Sequence, residues 1–154
     1  MIFVHKNRRS VRDRLLTGDC MVHCCQKGCE RMLIGICTQT EDVFRDGLDL
    51  FAARYQYNLN CEYFTWREDL LYRMKGQQFD VIFVGLKGAI GMETVIGVRD
   101  MDTQVPLVWI SSEKEFISQS YRLNTTMFLV WPVEPEQVCD AMLRCMERHI
   151  HEYS

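Results

Sequence analysis

No apolar run in the 154 residues approaches the roughly 18 that a membrane span needs, and the N-terminus lacks the apolar core of a secretory signal. Both absences point to a cytoplasmic protein. One sign of charge does not dominate either: 18 Lys and Arg stand against 21 Asp and Glu, a net charge of -3. That balance is too even for an acidic tail or a nucleic-acid surface. Apart from "HKNRRSVRDR" at the start, the basic residues are scattered. Nucleotide-binding glycine motifs are missing as well. The segment "GLKGAIG" beginning at Gly85 is glycine-rich, yet it fits neither G-x-G-x-x-G nor a P-loop ending in Lys-Ser/Thr.

Cysteine, by contrast, is plentiful, with eight in the chain. Without a secretory context they are expected to remain thiols. Cys37, Cys61, Cys139 and Cys145 fall in strand or helix patterns, where Cys acts as a small apolar residue. Cys20, Cys24, Cys25 and Cys29 crowd into "CMVHCCQKGC" together with His23. Thiolates and imidazole suit zinc, but C-x3-CC-x3-C is not the usual pair of C-x-x-C knuckles. The metal reading is therefore the weaker one, and no cofactor is expected. Residues 1–31 show neither helical nor strand periodicity. They read as an N-terminal extension, either disordered or the product of an upstream start assigned in error.

From Met32 onward, short apolar runs alternate with amphipathic stretches. "MLIGIC", "CEYF", "FDVIFVG", "PLVWIS" and "MFLVW" are too short for helices and read as buried strands. Between them lie helical patterns. "TEDVFRDGLDLFAARYQY" sets Val43, Phe44, Leu48, Phe51 and Ala52 on one side, with Thr40 as its N-cap. "TWREDLLYRMKG" has Thr65 as cap, Glu68 at the capping-box position and Gly76 as stop. "METVIGVRDMD" follows, then "SEKEFISQSYRLN", capped by Ser111 or Ser112 and closed near Asn124. "EPEQVCDAMLRCMERHIHEY" is the last, with Val138, Met142, Cys145, Met146 and Ile150 on one face.

Five strands alternating with five helices give an α/β fold with a doubly wound parallel sheet. Such sheets place their sites at the carboxyl ends of the strands. The residues there are Thr38, Gln39, Gly85, Ser111, Ser112, Trp131 and Pro132.

The pieces "MLIGICTQTEDV", "EYFTWREDLL", "FDVIFVGL", "GMETVIGVRDMDTQVPLVWISS" and "FLVWPVEPEQVCDAM" are similar, in order and spacing, to the receiver domain of bacterial response regulators. The similarity is greatest to receivers that head LytTR-type regulators, and it covers residues 32–152. It implies a five-stranded flavodoxin-like sheet of order 2-1-3-4-5 and a place in two-component, phosphorelay-type signal transduction.

A working receiver has an acid pair after its first strand, an acceptor Asp ending the third, a Ser or Thr ending the fourth, and a Lys before Pro after the fifth. The acid pair holds a hard cation, and the cation and Lys neutralise the transferred phosphoryl group. Here those positions hold Thr38 and Gln39, Gly85, Ser111 and Trp131. Only Ser111 and the aromatic Phe128 keep the pattern. Glu41 and Asp42 are better read as first-turn acids favourable to a helix dipole than as replacement ligands. The resemblance thus implies a pseudo-receiver, non-enzymatic and unable to accept phosphate.

Two classes of function follow. In the first, the domain binds a protein partner or a second copy of itself through the fourth helix, fifth strand and fifth helix, with Phe116, Tyr121, Phe128 and Met142 on that face. In the second, the vacated pocket takes a small ligand or serves a flavodoxin-like enzyme. Direct nucleic-acid binding and membrane binding are not expected. Trp131 either plugs the pocket or anchors a partner. The plug reading requires a cis Trp131-Pro132 peptide with the indole over Gly85.

Overall fold

Alternate residues along the central strands feed two separate cores, which is why these segments read as unbroken apolar runs rather than as alternating patterns. The structure, a computed structural model, describes the backbone of residues 31–153 and the side chains as far as residue 147. The strands are β1 (Met32–Thr38), β2 (Leu59–Phe64), β3 (Val81–Gly85), β4 (Leu107–Ser111) and β5 (Met127–Val130). The helices between and after them are α1 (Asp42–Tyr55), α2 (Arg67–Met74), α3 (Gly88–Met101), α4 (Ile117–Arg122) and α5 (Pro135–Tyr153). A 3-10 turn at Lys114–Phe116 leads into α4. All four strand pairings are parallel, and the order is β2-β1-β3-β4-β5. The expected fold class and strand order are both observed.

Ile34, Ile36, Phe83, Val108 and Ile110 face one core, which is completed by Phe44, Leu48 and Phe51 of α1 and by Val138, Met142 and Cys145 of α5. Their neighbours Leu33, Cys37, Ile82, Val84, Leu107 and Trp109 face the other, against Leu70 of α2 and Val95 and Val98 of α3. Each fully buried aliphatic or aromatic side chain contributes about 1.5–3 kcal/mol relative to its exposed state.

The guanidinium of Arg99 ties the end of α3 to the segment after α4. It donates to the carbonyls of Leu123 (2.7 Å), Asn124 (2.9 Å), Val105 (2.8 Å) and Asp102 (3.1 Å).

Several local expectations need correction. Neither Thr40 nor Thr65 caps a helix: Glu41 and Trp66 flank α1 and α2, and neither helix has a side-chain cap. Glu68 forms no capping box, because its carboxylate pairs with Arg67 at 3.0 Å. Helix α3 begins at Gly88, whose φ of 63° is left-handed, rather than near Met92, and Gly91 within it serves close packing. A Cβ on Gly91 would come 2.3 Å from the carbonyl oxygen of Leu86. The fourth helix is shorter than the sequence suggests, since its first residues form the 3-10 turn. Ala52 and Val43 are only partly buried. Residues 1–30, including Cys20, Cys24, Cys25, Cys29 and His23, lie outside the described residues, as does the side chain of Ile150.

Burial gives the domain a defined alkaline limit. Desolvation, reinforced by the charges of Glu68 and Asp69, pushes the Cys37 thiol up to about 12. Desolvation likewise raises Cys61 to about 11 and Tyr63 to about 12. In the unfolded chain the thiols ionise near ~8.5 and the phenol near ~10. The folded protein therefore holds protons that the unfolded chain has lost, and stability falls as pH rises through that interval. Thermal melts should show the midpoint declining as pH rises above about 8. Cys37→Ala should make that decline shallower.

Candidate functional site

The carboxyl edge of the sheet brings four of the residues singled out in the sequence into one place. Thr38 pairs with Gly85 across β1 and β3, and Ser111 with Val130 across β4 and β5. The N–H of Trp131, just past β5, donates to the Ser111 carbonyl at 3.0 Å. Gln39 follows Thr38 and is exposed.

Thr38 is almost fully buried, and its hydroxyl is already engaged. It donates to the carbonyl of Gly85 at 3.2 Å and accepts the N–H of Thr40 at 3.1 Å. This hydroxyl joins the ends of two strands and presents no charge. Gly85 is crowded rather than merely small. A Cβ there would lie 2.8 Å from Cζ of Phe44, 3.3 Å from its Cε2 and 3.3 Å from Cζ2 of Trp131. Phe44 cannot easily retreat, because it is fully buried and packs edge-on to Phe83, with ring centres 6.0 Å apart. Trp131 packs edge-on to the same Phe44 ring, also at 6.0 Å. The sequence marked Gly85 and Trp131, but it did not reveal that Phe44 lies beneath both.

The Trp131-Pro132 peptide is cis, as expected, and the indole lies against Gly85. It does not close the hollow. A cleft of about 680 Å3 remains, lined by Gln39, Thr40, Val43, Gly85, Leu86, Lys87, Ser112, Trp131 and Pro132. Trp131 is one wall of that cleft rather than a lid over it.

Among the described residues, no aspartate or glutamate lines the cleft. Glu41 is bound to Arg45 one turn along α1, and Asp42 is exposed on the same helix. Among the described residues no cluster of three or more His, Cys, Asp or Glu is placed to hold a metal. Hard divalent cations need several oxygen ligands, of which carboxylates carry the charge. The lining fits neutral or anionic groups better.

Ser111 is fully buried and does not cap α4. Its hydroxyl donates to Oε2 of Glu113 at 2.9 Å and accepts the Glu113 N–H at 3.1 Å, closing the turn that precedes the 3-10 segment. The hydroxyl is thus occupied by an acid of the same chain. A Ser-x-Glu spacing in "SSE" was the available sequence signal, and it was missed.

Of the four residues assigned to the α4–β5–α5 face, Tyr121 is 80% exposed and Phe116 and Phe128 are partly buried. Met142 is fully buried in the core between α1, α5 and the sheet, so it cannot belong to a surface. The sequence pattern placed Met142 on the apolar face of α5 correctly, but that face turns inward. Phe116 stacks on Trp109 at 5.5 Å, and Phe128 meets the same indole edge-on at 5.2 Å. These two rings are anchored by a buried tryptophan that the sequence alone had not distinguished from the rest of β4. Ile117, 50% exposed and one turn before Tyr121, adds to the apolar surface of α4.

No protein-family model matches the chain, and no curated protein matches it in sequence. Solved structures do match in shape. The receiver domain of AraT, a response regulator from Geobacillus stearothermophilus, is 18% identical with a TM-score of 0.63, covering 81% of this chain and all of that one. The chemotaxis response regulator CheY4 of Vibrio cholerae is 19% identical with a TM-score of 0.59, over 75% of this chain and 99% of its own. A CheY-like receiver domain protein from Methanospirillum hungatei is 11% identical with a TM-score of 0.64, over 80% and 99%. From β1 to α5, this chain has the fold of a response-regulator receiver domain.

Proposed function

We propose that this protein is a pseudo-receiver: a non-enzymatic signalling module that cannot take up phosphate and acts through protein contacts. The observation that carries the reading is the composition of the sheet edge. Thr38, Gln39, Gly85 and Trp131 stand at the positions where the resemblance calls for acids, acceptor and lysine, and no carboxylate is among the described residues lining the cleft that Gln39, Gly85 and Trp131 border. Without a cation and a nucleophilic carboxylate, nothing stabilises a phosphoryl group in transfer.

The contact surface is the exposed side of α4 with the neighbouring edge strand β5. Ile117 and Tyr121 are large apolar groups left to solvent there, above the anchored rings of Phe116 and Phe128. Exposed aromatic and aliphatic groups on a rigid base are typical of interaction surfaces. The partner is another protein or a second copy of this chain, and the proposal places it in the cytoplasm. No described helix is long and apolar enough to cross a membrane.

A photo-crosslinking residue placed at Tyr121 and, separately, at Tyr72 of α2 tests this reading. Both side chains are exposed, at 80% and 75%. In the native cell, position 121 is expected to give one discrete adduct, with or without a phosphoryl donor, and position 72 none. Adducts from neither position, or equally from both, would remove α4 as the contact surface.

A further inference from the structure

The cleft at the carboxyl edge has a chemistry of its own, independent of the partner surface. Its volume, about 680 Å3, lies within the range of roughly 300–1,000 Å3 typical of small-molecule sites. That is far more than an inorganic ion fills. Its apolar lining comes from Trp131, Pro132, Val43 and Leu86. Neutral hydrogen-bonding groups come from Gln39, Thr40 and Ser112. Among the described lining residues, the one formal charge is the ammonium of Lys87. Lys87 is exposed and has no ion-pair partner among the described residues.

Each class of occupant meets this lining differently. A divalent cation would find no carboxylate and one repelling ammonium. A compact dianion such as phosphate would leave the apolar wall without contacts and find a single cation. A neutral apolar molecule would leave Lys87 unused. A flat aromatic body with one carboxylate satisfies every part. Its ring stacks or packs against the indole and Pro132, its carboxylate pairs with Lys87, and Ser112 and Thr40 supply further donors.

The position of the indole makes the wall rigid. The Trp131 indole packs edge-on against the buried Phe44 ring, and its backbone N–H is tied to β4, so less side-chain freedom is lost when a ligand packs on it than on an unsupported indole. From this geometry we infer that the cleft is a binding site for a small planar aromatic monocarboxylate.

The test uses 2-naphthoate as the probe and 2-naphthamide as its uncharged isostere, titrated into the full chain and followed by amide and indole NMR shifts. Saturable binding of 2-naphthoate is expected, with the Gly85, Leu86 and Lys87 amides and the Trp131 indole N–H shifting together. The amide isostere should bind about tenfold more weakly, and Lys87→Gln should weaken 2-naphthoate by a similar factor. Lys87→Gln alters an exposed side chain, so the fold itself is not at stake. Trp131→Leu should weaken both compounds. No saturable shift at millimolar probe overturns the inference. So do shifts centred elsewhere, or an affinity indifferent to the carboxylate or to Lys87.

Discussion

Replacing Gly85 by Asp is expected to destabilise the domain by on the order of 3–5 kcal/mol, without creating a phosphoryl acceptor. The first part of the cost is steric. The new Cβ would stand 2.8 Å from the tip of the Phe44 ring, and that ring is fully buried against Phe83 and Trp131. Overpacking of this kind costs typically about 1–3 kcal/mol. The second part is electrostatic, because the carboxylate would sit against two aromatic rings, with the exposed Lys87 ammonium as the formal positive charge among the described lining residues. Gly85→Ala separates the two, since it carries the steric cost alone. Urea unfolding should rank the chains wild type, Gly85→Ala, Gly85→Asp in falling midpoint. An aspartate variant as stable as wild type would mean that the Phe44 ring is not fixed as described.

The second large effect is at Trp131. Exchanging it for Lys, the residue a working receiver carries there, should destabilise the fold by roughly 1–3 kcal/mol through lost apolar burial. The loss falls on one contact in particular, the edge-on packing on Phe44 beside Gly85. The variant should remain unable to take up phosphate, because a lysine supplies neither a cation site nor an acceptor. A Trp131→Lys chain with an unchanged unfolding midpoint would show the indole to be a surface anchor instead of a packed wall.

The doubly wound sheet was readable from the sequence because the physics behind it is coarse, whereas its strand order followed from the resemblance to receivers. Five apolar runs too short for helices, separated by amphipathic stretches, leave a doubly wound parallel sheet as the consistent arrangement. Helix starts were not readable with the same ease. Thr40 and Thr65 looked like caps because capping residues are judged by type, whereas a cap requires the side-chain oxygen to reach a free N–H. Thr40 is instead drawn toward Thr38, whose hydroxyl takes its N–H. The glycines of "GLKGAIG" suggested a loop because propensity counts each residue alone. Gly91 sits inside α3 because the Leu86 carbonyl lies where a side chain would be.

The site was legible in what it lacks and opaque in what fills it. Thr38, Gln39, Gly85 and Trp131 could be matched to functional positions one by one. That Phe44 blocks Gly85, that Glu113 engages the Ser111 hydroxyl, and that Lys87 is the one charged residue among the described lining of the cleft all depend on side chains meeting in space. Met142 failed as a surface residue for the same reason, since periodicity defines a helix face but not the direction it turns.

The central claim is that a receiver fold has been kept while its phosphoryl chemistry has been given up. Intact-mass spectrometry of the full chain after incubation with acetyl phosphate and magnesium tests it most directly. The account predicts a mass unchanged from the untreated protein, in wild type and in Gly85→Asp alike. An acid-labile, hydroxylamine-sensitive phosphoryl adduct on the wild-type chain would contradict it.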